Sequence, residues 1–205
     1  MAKDIAPQTL DAVRQPIETA NGLSNAHYID PNVFAVEKQA VLCANWAGLA
    51  VASDVPEPGD AKPIEFLGMP EVKLGSTAHV GGPGHNTHDA IDKSLLGLIE
   101  VRSHIWFDTV FINIDGNAAP FEEVHADLIA RWADFDQPMY HGGADSTFIL
   151  DVKTNWKLAV ENYCESYHLP RIHPGLNSYS RLEDHYNIDE KDKFSGQGTL
   201  VYRQL

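Results

Sequence analysis

The spacing of apolar and polar positions predicts helices and short strands in the first third of the chain. Apolar residues recur at helical spacing over residues 28–46, where Asp30 before Pro31 is a typical helix start. Short apolar runs predict strands at residues 49–53 and 64–67, separated by a turn-rich loop at 54–59. We expect Gly68-Met69-Pro70 to break the second strand, and the helix to bury Phe34, Val41, Leu42 and Trp46.

The middle of the chain continues this mixed pattern. Residues 98–102 and 105–114 are rich in Val, Ile, Phe and Trp and predict strands, followed by a turn at Asp115-Gly116. Residues 121–132 predict a helix whose apolar face is Val124, Leu128 and Trp132. Phe148, Leu150 and Val152 alternate within 147–152 and predict a strand that leads directly into the next segment.

Residues 155–173, NWKLAVENYCESYHLPRIH, form the segment with the most chemistry. Thr154 is a plausible N-cap for a helix here. Its apolar stripe consists of Trp156, Val160, Tyr163 and Tyr167. Glu165 and His168 are three residues apart, so we expect them to be neighbours on one surface of this helix.

Two histidines in this segment suggest a metal. His168 and His173 are five residues apart, which is roughly 140° on a regular helix, so they share one ion only where the helix bends or ends. Pro170 supplies a reason for such a break. Two histidines and one carboxylate on one side of a metal are typical of non-haem Fe(II) that binds oxygen. The alternative is that both imidazoles are ordinary hydrogen-bonded groups near a helix end.

The composition limits the number of domains, the kinds of binding partner and the cellular setting that we expect. The 205 residues are enough for one large or two small domains, and 43% hydrophobic content is sufficient for a packed core. A net charge of −14 argues against nucleic acid or anionic membrane binding. This acidity gives a solvated surface, or attracts a basic electron-transfer partner. The N-terminus lacks the apolar core of a secretory signal, and Cys43 and Cys164 form no disulfide framework, which predicts a reduced, cytoplasmic setting.

The pattern NWK-x3-EN-x4-YH-x4-HP, with Glu-x2-His-x4-His inside it, resembles the mononuclear iron segment of the alpha subunit of Rieske non-haem iron oxygenases. The resemblance implies that His168 and His173 bind Fe(II). It also implies that Glu165 is the carboxylate that links this iron to the 2Fe-2S centre of a neighbouring subunit. Asn162 would lie near the iron, either as a hydrogen-bonding group or as packing support.

The resemblance also implies a fold and a reaction. The fold is α+β, with a residual antiparallel Rieske-type domain and the first part of a helix-grip (START-like) catalytic domain. We expect a helical leader at 1–40, the Rieske-like remnant at 41–116 and the catalytic part at 117–205. In the family, electrons pass from NAD(P)H through a reductase, sometimes with a ferredoxin, and O2 is used to hydroxylate aromatic rings or quaternary ammonium compounds. Homotrimers are usual.

Two features of the family are missing from this sequence. The C-x-H and C-x2-H pairs that hold the 2Fe-2S cluster are absent, because neither cysteine has a histidine two or three residues on. The family's third iron ligand, a distant aspartate, has no counterpart in register, although Asp184, Asp189 and Asp192 qualify by chemistry alone. His79, His85 and His88 crowd a Gly-rich loop and match no reliable metal pattern. We therefore expect an incomplete, inactive alpha subunit; the alternative is a non-catalytic remnant that binds a metal or a partner.

Overall fold

The computed structural model describes residues 10–75, 100–135, 137, 139, 142, 148–190 and 194–201. These residues form a mixed α+β structure with small antiparallel sheets. The helices are α1 (Ala26–Ile29), α2 (Pro31–Glu37), α3 (Phe121–Val124), α4 (Ala126–Trp132), α5 (Trp156–Cys164), α6 (Leu169–Ile172) and α7 (Pro174–Asn177). The strands are β1 (Ala47–Val51), β2 (Ala61–Phe66), β3 (Met69–Gly75), β4 (Arg102–Trp106), β5 (Thr109–Asn113), β6 (Tyr186–Glu190) and β7 (Phe194–Gly198).

The chain divides into two compact units. One contains residues 1–35, 124–131 and 142–205, and the other contains 36–123 and 132–141. We call them the helical unit and the sheet unit. The domain boundaries expected from the sequence, at 40/41 and 116/117, were taken from the family resemblance. A division into compact units does not test them, so they stay a prediction.

The sheet unit is built on an antiparallel sheet of strand order β1-β5-β4, beside a separate β2-β3 hairpin. The register pairs Ala47 with Ile112 and Arg102 with Asn113. Aromatic side chains pack on this sheet around the buried Phe121, whose ring stacks on that of His104 at a centroid distance of 4.1 Å. The buried apolar residues of the unit are Cys43, Val55, Val110, Ile112 and Phe121.

A buried asparagine joins the end of the sheet to the loops beside it. The Asn113 amide nitrogen donates to the carbonyl oxygens of Cys43 and Asn45 and to Asp115 Oδ1, at 3.1–3.3 Å. Its Oδ1 accepts from the Ala118 amide at 3.0 Å. Because each side of this amide is paired, a polar side chain can occupy a fully buried position without an unsatisfied group.

The helical unit joins α1 to α5, the short helices α6 and α7, and the β6-β7 hairpin. Helix α5 packs against β7. Leu169, His27 and Ser180 are buried in this unit. No helix among the described residues is long and apolar enough to cross a lipid bilayer.

The single helix expected over 28–46 is wrong. Asp30 is extended and its Oδ1 accepts from the Asn32 amide, so Asp30 does cap a helix, but it also separates α1 from α2. After Glu37 the chain forms a π-helical turn at Lys38–Cys43. A π-helical turn holds more residues per turn than an α-helix. The side chains after it therefore point in different directions from those that a continuous α-helix would give. Phe34 and Val41 are exposed, Leu42 and Trp46 are half-buried, and Cys43 is the buried residue.

The strand expected over 105–114 is a hairpin. Phe107 and Asp108 form its turn with φ of 48° and 60°, values that a bulky residue such as Phe rarely adopts, so the apolar run concealed the turn. The strand expected at 98–102 begins only at Arg102, and residues 98–99 lie outside the described residues. Met69 and Pro70 start β3 and do not break a strand; the turn is at Leu67 and Gly68.

Two further elements differ from expectation. The helix expected over 121–132 is interrupted at His125, and Val124 and Trp132 on its supposed core face are exposed, with Leu128 half-buried. Residues 148–152 form no strand and are exposed, with Phe148 at 81%; Thr147 lies outside the described residues. Alternation predicts a strand only where a neighbour offers backbone hydrogen bonds, and among the described residues these pair with no strand.

Candidate metal centre

The helix that leads to the site is capped by Asn155 and not by Thr154, which corrects the expected start by one residue. Asn155 Oδ1 accepts from the Lys157 amide at 3.0 Å. Its side-chain nitrogen donates to the Tyr28 carbonyl at 3.0 Å. The longer reach of the Asn amide lets one side chain cap α5 and attach it to the N-terminal segment, which a Thr hydroxyl at 154 does not do.

The apolar stripe expected to be buried along this helix is largely exposed. Trp156 is half-buried, Val160 is exposed, and Tyr163 and Tyr167 are 79% and 82% exposed. Tyr167 lies beyond the end of α5 and so does not extend its face. Periodicity predicts that a helix has an apolar side, but not which element covers that side.

Glu165 and His168 are neighbours, but not on the surface of a helix as expected. Helix α5 ends at Cys164, and Glu165 is extended, with φ −118° and ψ 157°. The Glu165 side chain turns back over the next residues. Its Oε2 accepts from the Tyr167 amide at 2.5 Å, and its Oε1 contacts His168 Nδ1 in a close hydrogen bond. The carboxylate therefore closes a tight loop that fixes one histidine ring.

Pro170 starts a helix instead of breaking one. It lies in the first turn of α6, after His168 at the N-cap, where its missing N–H has no intrahelical partner to lose. The expected helix break lies not at Pro170 but at the two histidines themselves, on either side of α6. Helix α6 ends at Ile172. The next residue, His173, has an irregular backbone at φ −126° and ψ 60°, and Pro174 starts α7.

His168 and His173 are thus brought together by one short helix and its two irregular ends. Their ring centroids are 5.3 Å apart and the ring planes meet at 76°. An ion ~2.1 Å from one nitrogen of each ring would lie roughly 3.3 Å from each centroid, which spans this separation at an angle of roughly 105°. The separation of the two ring centroids therefore meets the distance that a shared first-row metal ion requires, and the binding of a metal by this pair stays a prediction.

The hydrogen bond between Glu165 and His168 determines which ring nitrogen of His168 is available to a metal. The His168 hydrogen bond, and to a smaller extent the Tyr167 amide, hold the pKa of Glu165 below its usual range. An ionised Glu165 accepts the proton of His168 Nδ1, and this leaves Nε2 with its lone pair available to a metal. His168 is mostly buried, and His173 is exposed.

Other candidates do not join this pair in the part of the chain that the structure describes. No group of three His, Cys, Asp or Glu side chains is arranged to hold a metal there. Asp184 and Asp189 therefore add no third ligand, and Asn162 is exposed in the last turn of α5. Asp192 and the histidines at 79, 85 and 88 lie outside the described residues.

Tyr28 contributes to the position of α5, which the residue pattern did not predict. Its carbonyl holds Asn155, its hydroxyl donates to Glu161 at 2.6 Å, and the Lys157 ammonium lies 5.5 Å from its ring centroid. Contacts between residues more than 120 positions apart leave no local signal. The sequence showed only that an aromatic residue follows a histidine at this position. The structure adds that this histidine, His27, is buried.

Comparisons of sequence and fold show which known proteins this chain is similar to. Residues 129–204 match the family model described as ring hydroxylating alpha subunit (catalytic domain). The chain is similar to the carnitine monooxygenase oxygenase subunit of Escherichia coli (strain K12), at 22% identity over 85% of this chain and 57% of that protein. The corresponding subunit of Acinetobacter pittii (strain PHEA-2) is 24% identical over 51% of this chain and 28% of its own length.

Solved structures show a similar fold. The quaternary ammonium Rieske monooxygenase CntA, in complex with an inhibitor, matches with a TM-score of 0.64 and 17% identity over 86% of this chain and 61% of that chain. Its complex with L-carnitine matches with a TM-score of 0.61 and 17% identity, over 84% and 60% of the two chains. The 205 residues thus span at most about three-fifths of these relatives.

Proposed function

Because this chain is a distant homologue of the Rieske oxygenase alpha subunits, with their ring-hydroxylating catalytic-domain sequence at residues 129–204, we propose that it forms the histidine side of a mononuclear Fe(II) centre in a terminal oxygenase. The observation that carries this proposal is the placement of His168 and His173 with ring centroids 5.3 Å apart around a short helix. Imidazole suits iron as well as zinc, copper and nickel, and the similarity to the oxygenase subunits is what favours iron here.

Each residue of the segment has a distinct part in the proposal. When bound, Fe(II) with open coordination positions supplies O2-dependent hydroxylation chemistry. His168 and His173 hold the metal. Glu165 keeps His168 in the tautomer and orientation that present Nε2, a role that carboxylates commonly play behind metal-bound histidines. A link from Glu165 to a partner subunit's cluster, and a place for Asn162 beside the iron, stay predictions.

A quaternary ammonium compound is the substrate class we propose. The relatives include enzymes named for carnitine, and CntA was solved with L-carnitine as substrate. A net charge of −14 favours the approach of a cationic substrate over a neutral aromatic ring. Oxidation of an aromatic substrate, which the family description includes, is the alternative.

The 2Fe-2S centre of the family does not fit this chain. Cys43 is buried and Cys164 ends α5; each is a free thiol, and neither has the nearby histidine or second cysteine that such a cluster requires. We therefore derive no electron transfer through these residues. Dependence on NAD(P)H, on a reductase or ferredoxin, and on a homotrimer is proposed for the complete oxygenase, and we expect little or no turnover from the 205 residues alone.

A second candidate function is a non-catalytic metal-binding or partner-binding protein. It is favoured by the lack of a third metal-ligand side chain among the described residues. The oxygenase and the metal-binding form of this alternative both require the histidine pair to bind metal, and they differ only in turnover.

Anaerobic calorimetric titration of the purified chain with Fe(II), and with Co(II) as a stable substitute, tests the shared step. We expect one site that is lost in His168→Ala and in His173→Ala. His104→Gln, a change to a histidine of the sheet unit, should leave binding unchanged. Wild-type protein without a site, or equal affinity in all variants, would refute the proposal. Hydroxylation of L-carnitine with a reductase and NADH, measured on the complete oxygenase that a longer reading frame with intact cluster motifs would encode, then separates the oxygenase from the non-catalytic alternative.

A further inference from the structure

Helix α5 is held by the N-terminal segment at two points. At the start of the helix, the Asn155 side-chain nitrogen donates to the Tyr28 carbonyl at 3.0 Å, while Asn155 Oδ1 caps the helix. In its second turn, Glu161 Oε1 accepts from the Tyr28 hydroxyl at 2.6 Å. The two points are six residues apart, which is about 9 Å along a helix, so together they fix the direction of the helix axis.

A third contact fixes the rotation of α5 about its axis. The Lys157 ammonium lies 5.5 Å from the centroid of the Tyr28 ring and 5.4 Å from that of the Trp156 ring. Lys157 and Glu161 are four residues apart, so their side chains lie on one face of the helix. Tyr28 thus contacts α5 through its carbonyl, its ring and its hydroxyl.

Helix α5 depends on these contacts because burial contributes little to its position. The helix has nine residues, none of them buried, and an isolated helix of this length is only marginally stable in water. Its packing against β7 leaves Val160 exposed and Tyr163 79% exposed. The contacts with Tyr28 therefore contribute much of what holds the helix in place.

The end of α5 leads directly to the candidate metal ligands. Glu165 is the C-cap residue of the helix and lies four residues, or about one turn, after Glu161. Its carboxylate bonds His168 Nδ1 and the Tyr167 amide, so a displacement of the helix end moves the group that orients His168. Metal ligands need supporting groups that hold them within about 0.5 Å of the productive geometry. A shift of α5 on this scale should therefore weaken metal binding.

We propose that Tyr28 is a positioning residue for the metal centre, which fixes Glu165 through helix α5 and so sets the orientation of His168. This inference rests on the proposed function and adds to it a residue from the N-terminal segment. The alternative is that Tyr28 only stabilises the fold. The two roles differ in a measurable way: a loss of global stability leaves the metal affinity of the folded protein unchanged, whereas a misplaced Glu165 lowers it.

Calorimetry of the full chain with Co(II), at a temperature where every variant is folded, separates the two roles. In Tyr28→Phe we expect the dissociation constant to rise roughly 3–10-fold, as is usual for residues that act on a site without touching it. Tyr163→Phe, in the same helix but at a 79% exposed side chain, is the control and should leave the constant unchanged. Equal constants in the wild type and in Tyr28→Phe would overturn the proposal.

A double-mutant cycle assigns the effect to one hydrogen bond. Glu161→Ala should weaken metal binding as much as Tyr28→Phe does, and the double variant should lose no more than either single variant, because both changes remove the same bond. Glu161→Gln keeps an acceptor for the Tyr28 hydroxyl and should bind metal as the wild type does. Additive losses, or a loss in Glu161→Gln equal to that in Glu161→Ala, would contradict the proposed role of this bond.

A measurement on metal-free protein separates this proposal from the metal centre itself. The Tyr167 amide donates to Glu165 Oε2, and the Asn177 amide in α7 donates to the His173 carbonyl. In hydrogen exchange followed by NMR, Tyr28→Phe should speed exchange at Tyr167 several-fold and leave Asn177 unchanged. The same acceleration at both amides would indicate a general loss of stability and refute the proposal.

The two measurements together show which proposal fails. Faster exchange at Tyr167 alone, in a protein whose wild type binds no metal, would retain the positioning of Glu165 and refute the metal centre. Metal binding by the wild type, with exchange and affinity unchanged in Tyr28→Phe, would do the reverse.

Discussion

The Tyr28 hydroxyl donates a hydrogen bond to Glu161 Oε1 at 2.6 Å and so ties α1 to the second turn of α5. The Tyr28 carbonyl also accepts from Asn155 at the start of the same helix. One residue of the N-terminal segment therefore holds two points of the helix that ends just before Glu165. The position of the candidate metal ligands depends in part on a contact that spans most of the chain.

Removal of this hydroxyl should destabilise the protein slightly. In Tyr28→Phe the ring and its contact with Lys157 remain, and only the hydrogen bond to the carboxylate is lost. Because both groups are solvent-accessible, we expect the free energy of unfolding to fall by about 0.5–1 kcal/mol. Urea denaturation measures it. Tyr163→Phe, in the same helix but at a 79% exposed side chain, is the control and should change stability much less; equal effects would contradict the assigned role of the Tyr28 hydroxyl.

The same contact should appear in the alkaline titration of Tyr28. Its hydrogen bond to Glu161 raises the pKa of Tyr28 to about 12. The protonated phenol is the form that the fold stabilises, so this contribution is fully present below pH 10 and is lost as the pH rises from about 10 through 12. Phenolate absorbance, with Tyr28→Phe as the difference reference, measures the titration. In Glu161→Gln the Tyr28 pKa should return toward its ordinary value, and an unchanged pKa would assign the shift to another cause.

Asn113 should be among the most sensitive positions of the sheet unit. It is fully buried and bonds Cys43, Asn45, Asp115 and Ala118. Asn113→Leu leaves several of these buried groups unpaired, and we expect a loss of about 2–4 kcal/mol in the free energy of unfolding. Thermal and urea denaturation measure it.

The control for this prediction is a neighbouring asparagine. Asn117 contributes its backbone amide to Asp115 and has an exposed side chain, so Asn117→Ala should cost less than about 0.5 kcal/mol. Comparable losses in both variants would mean that the loop, and not the Asn113 network, limits stability.

The turn between β2 and β3 offers a stabilising substitution. Leu67 and Gly68 both have positive φ, 57° and 65°, in a two-residue hairpin turn that favours Asn-Gly. Leu67→Asn should raise the free energy of unfolding by about 0.5–1 kcal/mol, because Asn tolerates this backbone region better than Leu. The bond from Lys38 Nζ to the Leu67 carbonyl is retained, since it uses the backbone.

Gly68→Ala is the matched opposite change. A Cβ at Gly68 meets no atom within 4 Å, so its cost of about 1 kcal/mol is conformational and not steric. Chemical denaturation of the two variants should give opposite signs. The same sign in both would show that the turn does not have this backbone in solution.

Glu165 should tune metal affinity without being a ligand. Glu165→Ala removes the hydrogen bond that fixes His168, and we expect metal affinity to fall roughly 10–100-fold. Glu165→Gln keeps a hydrogen-bond acceptor and should lose less. Calorimetry with Co(II) compares them, with Glu123→Gln, a change to an exposed carboxylate of the sheet unit, as the control. Complete loss of binding in Glu165→Ala, as in His168→Ala, would instead identify Glu165 as a direct ligand.

The sequence by itself identified residues 155–173 as the segment that carries the candidate metal ligands. The spacing of Glu165, His168 and His173 and the surrounding motif identified the family resemblance, which the comparisons confirm. It also determined the missing cluster ligands, because a cysteine count needs no coordinates. Local signals such as Asp30 before Pro31 and Asp115-Gly116 were reliable, since capping and turn preferences act over a few residues.

Only the tertiary structure decided how those residues meet. Helix α5 ends before Glu165, and Pro170 starts a new helix, so the two imidazoles approach through irregular backbone that periodicity does not describe. The Phe107-Asp108 turn was hidden because an aromatic residue occupies a rare backbone region. The Tyr28–Glu161 contact and the hydrogen bond between the Ser180 and Thr199 hydroxyls join residues that are far apart in sequence. Such contacts are selected by packing across the fold and not by neighbours in sequence.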